Sequence, residues 1–394
     1  MDALVSAVAG VLVALAAIAG VFTILNLAID RAGPRWDERL RPWVFVGPSM
    51  LFLLVALVIP AVRTVILSFR GGRRGEEGYS LEQWRRALTD DRVIGFERVG
   101  DIFTSRLFIA AVALLVLGIV VARISAAKDV AATRGRLDMS HPLASTAVAT
   151  AVIAVLLAVF STLRGVVWNN LWWVAAVAGL ATLFGLALAV LADRSASETL
   201  AKTLIFMPMA ISLVGAAIIW KYVYDTPGAG QAEGLLNVIW PGDPIDFLRG
   251  TSRSGTIAPW NNFFIMIIMI WIQAGFAMVV LSAAIKGVPA ELLEAARVDG
   301  ANEVQVFWRI TLPQITSTIA VVVTTLTITV LKIFDLVKAT TGGAADTDVL
   351  ANRMYEGLRN GAFTTSATFA VMIFVLVLPV MWVNIRGVRK EVAR

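Results

Sequence analysis

Ionisable side chains inside long apolar stretches are the first residues whose type and spacing indicate chemistry. Lys332 and Asp335 lie three residues apart in such a stretch, which places them on one face of a helix. Charged groups at membrane depth are rare and usually face the interior of a helix bundle or a cavity. The pair indicates either an ion pair along a translocation path or two groups near the outer end that reach the membrane interface.

Polar uncharged residues in the same kind of stretch form a second group of path candidates. An unpaired amide in lipid is costly, so Gln273 is expected to face the bundle interior. Thr324 and Thr325, followed by Thr327 and Thr329, make one stretch unusually rich in hydroxyls. These hydroxyls suit a path for a hydrogen-bonding solute, or they bond back to carbonyls of their own helix or across helices.

Residues for enzymatic or metal chemistry are sparse. The sequence has no cysteine, which excludes disulfides, thiolate metal sites and cysteine nucleophiles. The single histidine, His141, leaves little scope for an imidazole metal site, and the acid pairs Glu76-Glu77 and Asp90-Asp91 are interpreted as solvated surface. No GxxxxGK(S/T) sequence occurs, so the loop that cradles the phosphates of ATP is missing. We therefore predict no catalytic residue, no metal site, no cofactor and no enzyme activity on this chain.

The elements that position these residues are predicted to be membrane-spanning helices. Hydrophobic residues make up 58% of the 394 residues and charged residues only 16%, an apolar excess over soluble domains. The excess falls in runs of about 20 residues, the length that a helix needs to cross a bilayer. We expect an all-α polytopic protein with about nine transmembrane helices. The runs are Leu4–Leu27, Val44–Phe69, Leu107–Ala122, Leu143–Leu163, Leu171–Ala192, Leu204–Tyr224, Phe263–Ile285, Ile315–Ile333 and Ala367–Ile385.

The distribution of Lys and Arg indicates the orientation of these helices, because cytoplasmic loops of membrane proteins are enriched in both. The bias fits a cytoplasmic C-terminus, although one predicted outer loop, 70–105, is rich in arginine and argues against it. The same rule accounts for the net charge of +6 without nucleic-acid binding. The residues expected at the outer membrane interface are Trp168, Trp172, Trp173, Trp220, Tyr222 and Tyr224.

The segment 287–313, between the seventh and eighth predicted spans, falls on the cytoplasmic side. Pro289 suits the first position of a helix, and Gly300 stands where a left-handed residue ends one, so Pro289–Asp299 is predicted to be helical. A second short helix, Ala301–Ile310, precedes the eighth span. Taken alone, the pattern is also typical of an amphipathic loop that lies on the bilayer or caps the bundle.

One pattern in this segment resembles the EAA loop of the permease subunits of binding-protein-dependent ABC importers. It reads Glu294-Ala295-Ala296, three residues, Gly300, nine residues, Ile310, one residue, and Leu312-Pro313. The resemblance runs from residue 204 almost to the end of the sequence and includes Gly234-Leu-Leu-Asn237. It is strongest to the sugar branch of the family, and within it to α-glucoside permeases. Where the family has Gly-Gly-Pro, this sequence has Gly342-Gly343-Ala344.

The resemblance implies a membrane-spanning subunit of an ATP-driven sugar importer, with α-glucosides of two or more units as substrates, in a bacterial inner membrane. It implies a six-helix core. The implied partners are a cytoplasmic ATPase dimer that binds ATP and Mg²⁺, a second permease subunit, an extracytoplasmic solute-binding protein and membrane lipid.

In that family the loop docks into a cleft of the ATPase. Glu294 is then expected to meet basic groups, Asp299 to cap the next helix or join the contact, and Gly300 to set the bend. The implied coupling residues are Glu294, Ala295, Ala296, Asp299, Gly300, Ile310, Leu312 and Pro313. The candidate path residues are Gln273, Thr324, Thr325, Lys332 and Asp335.

Four regions are predicted: 1–30 as an extra N-terminal transmembrane helix, 31–103 as the first core helix and outer loop, 104–166 as an inserted helix pair, and 167–394 as the permease core with the coupling loop 287–313. Two alternatives from other classes stay open. A stand-alone secondary transporter or channel predicts internal repeats and interrupted helices at matching positions. A membrane enzyme acting on lipid-linked glycans predicts a cluster of acids or histidines at one membrane face.

Overall fold

The computed structural model of the chain describes residues 20, 22–23, 34–95, 99–128, 142–193, 195, 197–225, 234–240, 244–252, 255–256 and 260–392. They fall in two compact units, Met1–Leu67 and Ser68–Arg394. The predicted first span, Leu4–Leu27, lies outside the described residues except for positions 20, 22 and 23, and so does His141.

The first unit contains one long apolar helix. It consists of α1 (Pro34–Leu53), a π-helical turn (Leu54–Val58) and α2 (Ile59–Ser68). The stretch Phe45–Ser68 is long and apolar enough to cross a membrane, with a mean hydropathy of 2.6. This confirms the predicted span Val44–Phe69.

Helices also dominate the second unit. They are α3 (Glu82–Thr89), α4 (Asp91–Ile94), α5 (Val99–Thr104), α6 (Arg106–Lys128), α7 (Pro142–Thr162), α8 (Val166–Trp173), α9 (Gly179–Asp193), α10 (Glu198–Phe206), α11 (Leu213–Tyr224), α12 (Leu235–Ile239), α13 (Trp260–Lys286), α14 (Ala290–Val298), α15 (Glu303–Val306), α16 (Leu312–Gln314), α17 (Thr316–Leu331), α18 (Asp335–Thr340), α19 (Leu350–Arg359) and α20 (Phe363–Val392). A π-helical turn, Val174–Ala178, joins α8 to α9, and another, Phe307–Thr311, joins α15 to α16.

Eight stretches of the described chain match the predicted spans. Five in the second unit are continuous, and two further pairs of helices pass the same test of length and hydropathy together but are bent. With Phe45–Ser68, the described residues hold six spans, or eight if each bent pair is one span. The all-α polytopic fold is therefore confirmed. The continuous stretches are Arg106–Ile124, Ser145–Thr162, Val166–Asp193, Trp260–Lys286 and Phe363–Trp382.

One bent pair corrects a span that we predicted as continuous. In place of Leu204–Tyr224, α10 and α11 meet at 100°, with a 3₁₀ turn, Met207–Ala210, between them. Pro208 has no N–H to donate within that turn, and the Ser212 hydroxyl begins α11 by accepting from the Gly215 amide at 3.0 Å. In the other pair, the segment Glu303–Gln314 meets α17 at 66°. That bend falls at Ile315, so the predicted span Ile315–Ile333 agrees with the continuous helix α17.

Helix α13 runs through the core of the second unit, and two glycines bring its neighbours close. A Cβ at Gly185 in α9 would lie 2.9 Å from the Met278 amide nitrogen of α13. A Cβ at Gly275 in α13 would lie 2.6 Å from the Ile205 carbonyl oxygen of α10. Because neither glycine carries a side chain, α9 and α10 both approach α13 at backbone distance.

The aromatic residues that we predicted at the membrane interface do not form one exposed belt. Trp173 and Tyr224 are fully buried in the core. The Trp173 indole N–H donates to Asn262 Oδ1 at 3.0 Å, and the Tyr224 hydroxyl donates to the Phe264 carbonyl at 2.9 Å. Each polar tip therefore finds its partner inside the protein rather than in the headgroup region, which is how buried Trp and Tyr are accommodated.

A small antiparallel sheet between α12 and α13 was not predicted. Its strands are β1 (Ile245–Asp246), β2 (Thr251–Ser252) and β3 (Gly255–Thr256), paired in the order β1-β2-β3. Asn237 of α12 anchors β1, because its side chain donates to the Ile245 carbonyl at 3.0 Å and accepts from the Ile245 amide at 2.9 Å. Strands of two residues are too short to show the alternation by which strands are recognised in a sequence.

Candidate coupling loop and substrate path

Helix α14 begins and ends close to where the sequence predicted. Pro289 precedes it with extended backbone angles, and Gly300 follows it with a φ of +84°. The Ala301 amide donates to the Ala296 carbonyl and the Gly300 amide to the Arg297 carbonyl, both at 3.0 Å. This pair of hydrogen bonds around a left-handed residue is a Schellman motif, and it confirms the predicted conformation of Gly300.

The helix after the bend is shorter than predicted and is capped by a different residue. The Asn302 side chain accepts from the Gln305 amide, and the Gln305 side chain accepts from the Asn302 amide, both at 2.9 Å. This capping box begins α15, so the predicted cap by Asp299 is wrong. Asp299 instead occupies the C-terminal cap position of α14.

In place of the predicted helix Ala301–Ile310, the structure has α15, the π-helical turn Phe307–Thr311 and α16. Pro313 lies in α16, and a proline there removes one amide from the regular helical ladder. Ile310 lies in the π-helical turn, and Leu312 begins α16; both are half-buried.

The surface around the bend combines acids with large apolar side chains. Glu294, Ala295, Asp299 and Gly300 are exposed, whereas Ala296 is buried. Val298 is 87% exposed and Trp308 is 62% exposed. Exposed apolar side chains rimmed by polar groups are typical of protein interaction surfaces. Val298 and Trp308 were not predicted as site residues, because an apolar residue is ordinary in such a sequence until the fold shows it exposed.

One ion pair holds the two helices of the loop together. Arg297 Nε lies 2.8 Å from Glu303 Oε1, linking α14 to α15. The hydrogen bond to the Glu303 carboxylate raises the pKa of the Arg297 guanidinium further, so Arg297 stays charged. Both side chains are about half exposed, so this pair contributes little to stability and mainly orients the loop.

The hydroxyl candidates for a substrate path are engaged within their own helix. Thr324 donates to the Ala320 carbonyl at 2.8 Å, and Thr325 donates to the Val321 carbonyl at 2.9 Å. Both hydroxyls therefore bond back to carbonyls of their own helix, which is the second of the two predicted roles. Each hydroxyl oxygen can still accept a hydrogen bond. Gln273 is 8% exposed in α13, so it faces the bundle interior as expected.

Lys332 and Asp335 do not share a helix face, which corrects the prediction. Helix α17 ends at Leu331, Lys332 is its C-terminal cap, and α18 begins at Asp335. Both side chains are exposed, and no ion pair joins them in the part of the chain that the structure describes. The helical spacing that suggested a pair is therefore absent, because the backbone turns between the two residues.

Buried asparagines hold the loop 341–349, which connects α18 to α19. Asn169 donates to the carbonyls of Asp346 at 2.6 Å and Asp348 at 2.9 Å, and Asn261 donates to the Ala345 carbonyl at 2.7 Å. Ala345 and Asp346 have φ angles of 54° and 59°, which non-glycine residues rarely adopt. Such backbone strain persists where surrounding hydrogen bonds over-determine the conformation, as these do.

The same loop borders a cavity of about 360 Å³ lined by charged groups of both signs. Arg164 pairs with Asp346 at 3.0 Å, and Arg353 pairs with Asp348 at 2.5 Å. Burial raises the pKa of the Asp348 carboxyl, against the opposing effects of the Asn352 hydrogen bond and the Arg353 charge. The pairs leave this part of the structure nearly neutral.

A known family matches the part of the chain that contains the loop. Its description is "Binding-protein-dependent transport system inner membrane component", and it matches residues 181–385, slightly more than half of the chain. The matched range runs from within α9 into α20 and includes the whole segment 287–313. The chain belongs to this family. Membership confirms the resemblance to importer permeases that the sequence analysis drew from Glu294 to Pro313.

Two relatives within this kind of protein share much of the sequence. The alpha-glucoside transport system permease protein AglF of Rhizobium meliloti (strain 1021) is 37% identical over 99% of this chain and 97% of its own length. The osmoprotective compounds uptake permease protein GgtC of Synechocystis sp. is 48% identical over 57% of this chain and 79% of its own length. Both are permease proteins rather than enzymes, in agreement with the prediction for this chain.

Solved structures of ABC transporters share the fold. One belongs to a bacterial alginate ABC transporter in complex with an alginate pentasaccharide-bound periplasmic protein, with a TM-score of 0.57 and 19% identity over 91% of this chain. Another belongs to a bacterial ABC transporter that imports alginate, with a TM-score of 0.52. At this identity the likeness extends to the fold alone. The family match and the spans, rather than these structures, make this chain a multi-pass membrane permease of the family.

Proposed function

We propose that this chain is the membrane-spanning subunit of an ATP-driven ABC importer for sugars, with α-glucosides as its substrates. The observation that carries the sugar class is the 37% identity to the AglF permease over nearly the whole chain. The 48% identity to GgtC over a shorter range favours a second candidate class, osmoprotective compounds. Both candidates share the same import mechanism and differ only in the solute.

The segment 287–313 is the proposed coupling loop. The acids Glu294 and Asp299 and the apolar side chains of Val298 and Trp308 are all exposed on this segment. A complementary ATPase surface would offer basic groups to the acids and an apolar cleft to Val298 and Trp308, since charge complementarity sets specificity and a buried apolar centre supplies affinity. Ala295, exposed and small, lets the partner approach the helix backbone closely.

The remaining members of the coupling set hold the loop in shape. Ala296 packs inward, Gly300 allows the left-handed bend, and Ile310 and Leu312 anchor the loop to the bundle. Pro313 interrupts the helix before the eighth span. With these roles, ATP-driven closure of the ATPase would displace α14 as a unit.

The proposed complex supplies what this chain lacks. ATP and Mg²⁺ would bind to a cytoplasmic ATPase dimer, a second permease subunit would complete the pathway, and an extracytoplasmic solute-binding protein would deliver the solute. The Lys and Arg bias supports a cytoplasmic C-terminus in the inner membrane of a bacterial cell, with lipid around the bundle.

A substrate path is proposed along the interior of the bundle. Gln273 offers an amide donor and acceptor there. At the surface of α17, the half-buried Thr324 and the exposed Thr325 offer oxygens that still accept hydrogen bonds. Lys332 and Asp335, exposed at the end of α17 and the start of α18, would contact the solute separately rather than as an ion pair.

Cysteine cross-linking tests the coupling loop directly, because the natural chain has no cysteine. Val298→Cys places one thiol on the proposed ATPase surface, and Leu81→Cys, at a residue 66% exposed in the loop 70–105, is the matched control. In membranes of the native cell, a photoactivatable probe attached to the thiol of the Val298→Cys variant should capture a P-loop ATPase. The same probe attached to the Leu81→Cys variant should not. Capture of lipid alone from both variants would contradict the proposal.

Transport by the purified complex then tests the solute class. The complex, reconstituted with its binding protein, should accumulate labelled α-glucosides and should hydrolyse ATP faster when they are present. Accumulation of osmoprotective compounds without α-glucosides would favour the GgtC-like alternative.

A further inference from the structure

Four charged side chains and one hydroxyl meet where the helix bundle adjoins the coupling loop. Lys202 Nζ lies 2.5 Å from Asp193 Oδ1 and 2.6 Å from Glu198 Oε1, and it also donates to the Ser282 hydroxyl. The Ser282 hydroxyl donates in turn to Asp193 Oδ1 at 2.7 Å. Lys286 forms an ion pair with Glu198. We call these five residues the loop-side cluster.

The loop-side cluster ties three helices at one end. Asp193 is the last residue of α9, Glu198 and Lys202 lie in the first turns of α10, and Lys286 is the last residue of α13. All three donor positions of the Lys202 ammonium are used, one for each of its three acceptors. No role in the proposed contacts with the ATPase or the solute accounts for this arrangement.

Burial makes these contacts strong. The Lys202 side chain is 19% exposed and the Asp193 side chain is 15% exposed. Charge pairs that are mostly removed from water are weakly screened, and loss of one partner leaves the other charge uncompensated. Within the described residues, Asp193 Oδ2 is buried without a hydrogen-bond partner, so this carboxylate depends on the contacts of its other oxygen.

Helix packing extends the same link along the bundle. Gly185 and Gly275 bring α9 and α10 to backbone distance from α13, a few turns from the loop-side cluster. Close packing of this kind transmits strain along the bodies of the helices. At their ends beside the coupling loop, the side chains of the loop-side cluster link α9 and α10 to α13.

The connection from α13 to the coupling loop is short. Only residues 287–289 separate α13 from α14. The Gly287 amide donates to the Ala283 carbonyl at 3.1 Å, and the Val288 amide donates to the Ile285 carbonyl at 3.2 Å, so the helical path continues almost to Pro289. Because this connection is short and hydrogen-bonded, a displacement of α14 moves the end of α13 as well.

We propose that the loop-side cluster transmits movement of the coupling loop from α13 to α9 and α10, and that Lys202 is its positioning residue. This inference rests on the proposed function of the segment 287–313. Helix α10 carries the movement to the 100° break before α11, where the bundle changes direction. Without Lys202, the end of α13 moves alone, and ATP hydrolysis no longer drives the rest of the bundle.

The test compares transport with hydrolysis in the complete importer, reconstituted in liposomes with its binding protein. In Lys202→Met, solute moved per ATP hydrolysed should fall by about tenfold, a typical factor for energetic coupling between sites, while basal ATP hydrolysis continues. Lys202→Arg keeps the charge and should recover most of the coupling. Lys221→Met, the same change at an exposed lysine of α11, is the matched control and should match wild type.

A second variant keeps the test decisive if Lys202→Met does not assemble. Ser282→Ala removes the two hydrogen bonds of the hydroxyl, with Lys202 and with Asp193, without removing a charge, and it should lower the coupling ratio less than Lys202→Met. A wild-type coupling ratio in Lys202→Met, or in Ser282→Ala where Lys202→Met does not assemble, overturns the inference and leaves the proposed function standing. A wild-type chain that neither binds an ATPase nor couples hydrolysis to transport overturns the proposed function itself.

Discussion

Gly300 offers a quantitative test of the coupling loop, because its backbone and its surroundings make separable predictions. Its φ of +84° lies in the left-handed region, which costs a residue with a Cβ about 1 to 2 kcal/mol. A Cβ placed there meets no described atom within 4 Å, so a substitution adds backbone strain and no steric clash. The cost corresponds to a factor of about 5 to 30 in the equilibrium ratio of bent to unbent loop.

The expected order of variants follows from this cost. Gly300→Asn should be nearly silent because asparagine tolerates the left-handed region. Gly300→Ala should reduce transport at a fixed ATPase concentration by at most a factor of about 5 to 30, and Gly300→Val, which is β-branched, should reduce it further. The assay is initial transport rate in liposomes against added ATPase, with protein insertion checked on the same samples.

Either of two outcomes would refute the reasoning about Gly300. If Gly300→Asn is as damaging as Gly300→Val, the side chain itself obstructs docking and the backbone conformation does not decide the result. If Gly300→Val couples like wild type, the bend is not needed for coupling at all.

Three further predictions concern stability. Asn302→Ala should destabilise the helix after the bend by about 1 kcal/mol, seen as faster hydrogen exchange there, whereas Asn302→Asp should preserve the cap. The hydrogen bond from the Lys338 ammonium lowers the pKa of the Glu356 carboxyl in the folded protein. This pair therefore stabilises the fold at any pH above the pKa of the carboxyl in the unfolded chain. The stabilisation is lost as the pH falls through the lower pKa of the folded state. Unfolding midpoints of Lys338→Met should therefore fall less steeply with acid than those of wild type. Gly185→Ala should destabilise the bundle by about 1 to 3 kcal/mol through overpacking against α13, whereas Gly179→Ala, with no described atom near its Cβ, should not; thermal unfolding in detergent compares them.

The sequence could predict the spans and the bend because both depend on neighbours along the chain. A run of about 20 apolar residues is a helix that crosses a membrane whatever lies beside it. Gly300 ends α14 because of its own φ and of hydrogen bonds within six residues. The same locality explains why the break after Pro208 was missed: hydropathy averages over the residues that interrupt a helix.

The candidate path shows where local reasoning fails. Spacing placed Lys332 and Asp335 on one face, but the backbone turns between them. Trp173 resembled an interfacial anchor, yet it is buried against Asn262, a residue 89 positions away. The sequence within a few residues of either site does not predict the turn between Lys332 and Asp335 or the burial of Trp173.

The sequence by itself determined the membrane class of the protein, eight of its spans within the described residues, and the family to which its loop belongs. Only the tertiary structure decided which polar residues meet. Lys202 bonds to Ser282, 80 positions away, and Asn169 donates to the backbone carbonyl of Asp346. The physical reason is that hydropathy and turn chemistry act between neighbours, whereas a buried polar group must find whichever partner the packed helices bring to it. Those partners also include the residues that we propose link the coupling loop to the rest of the bundle.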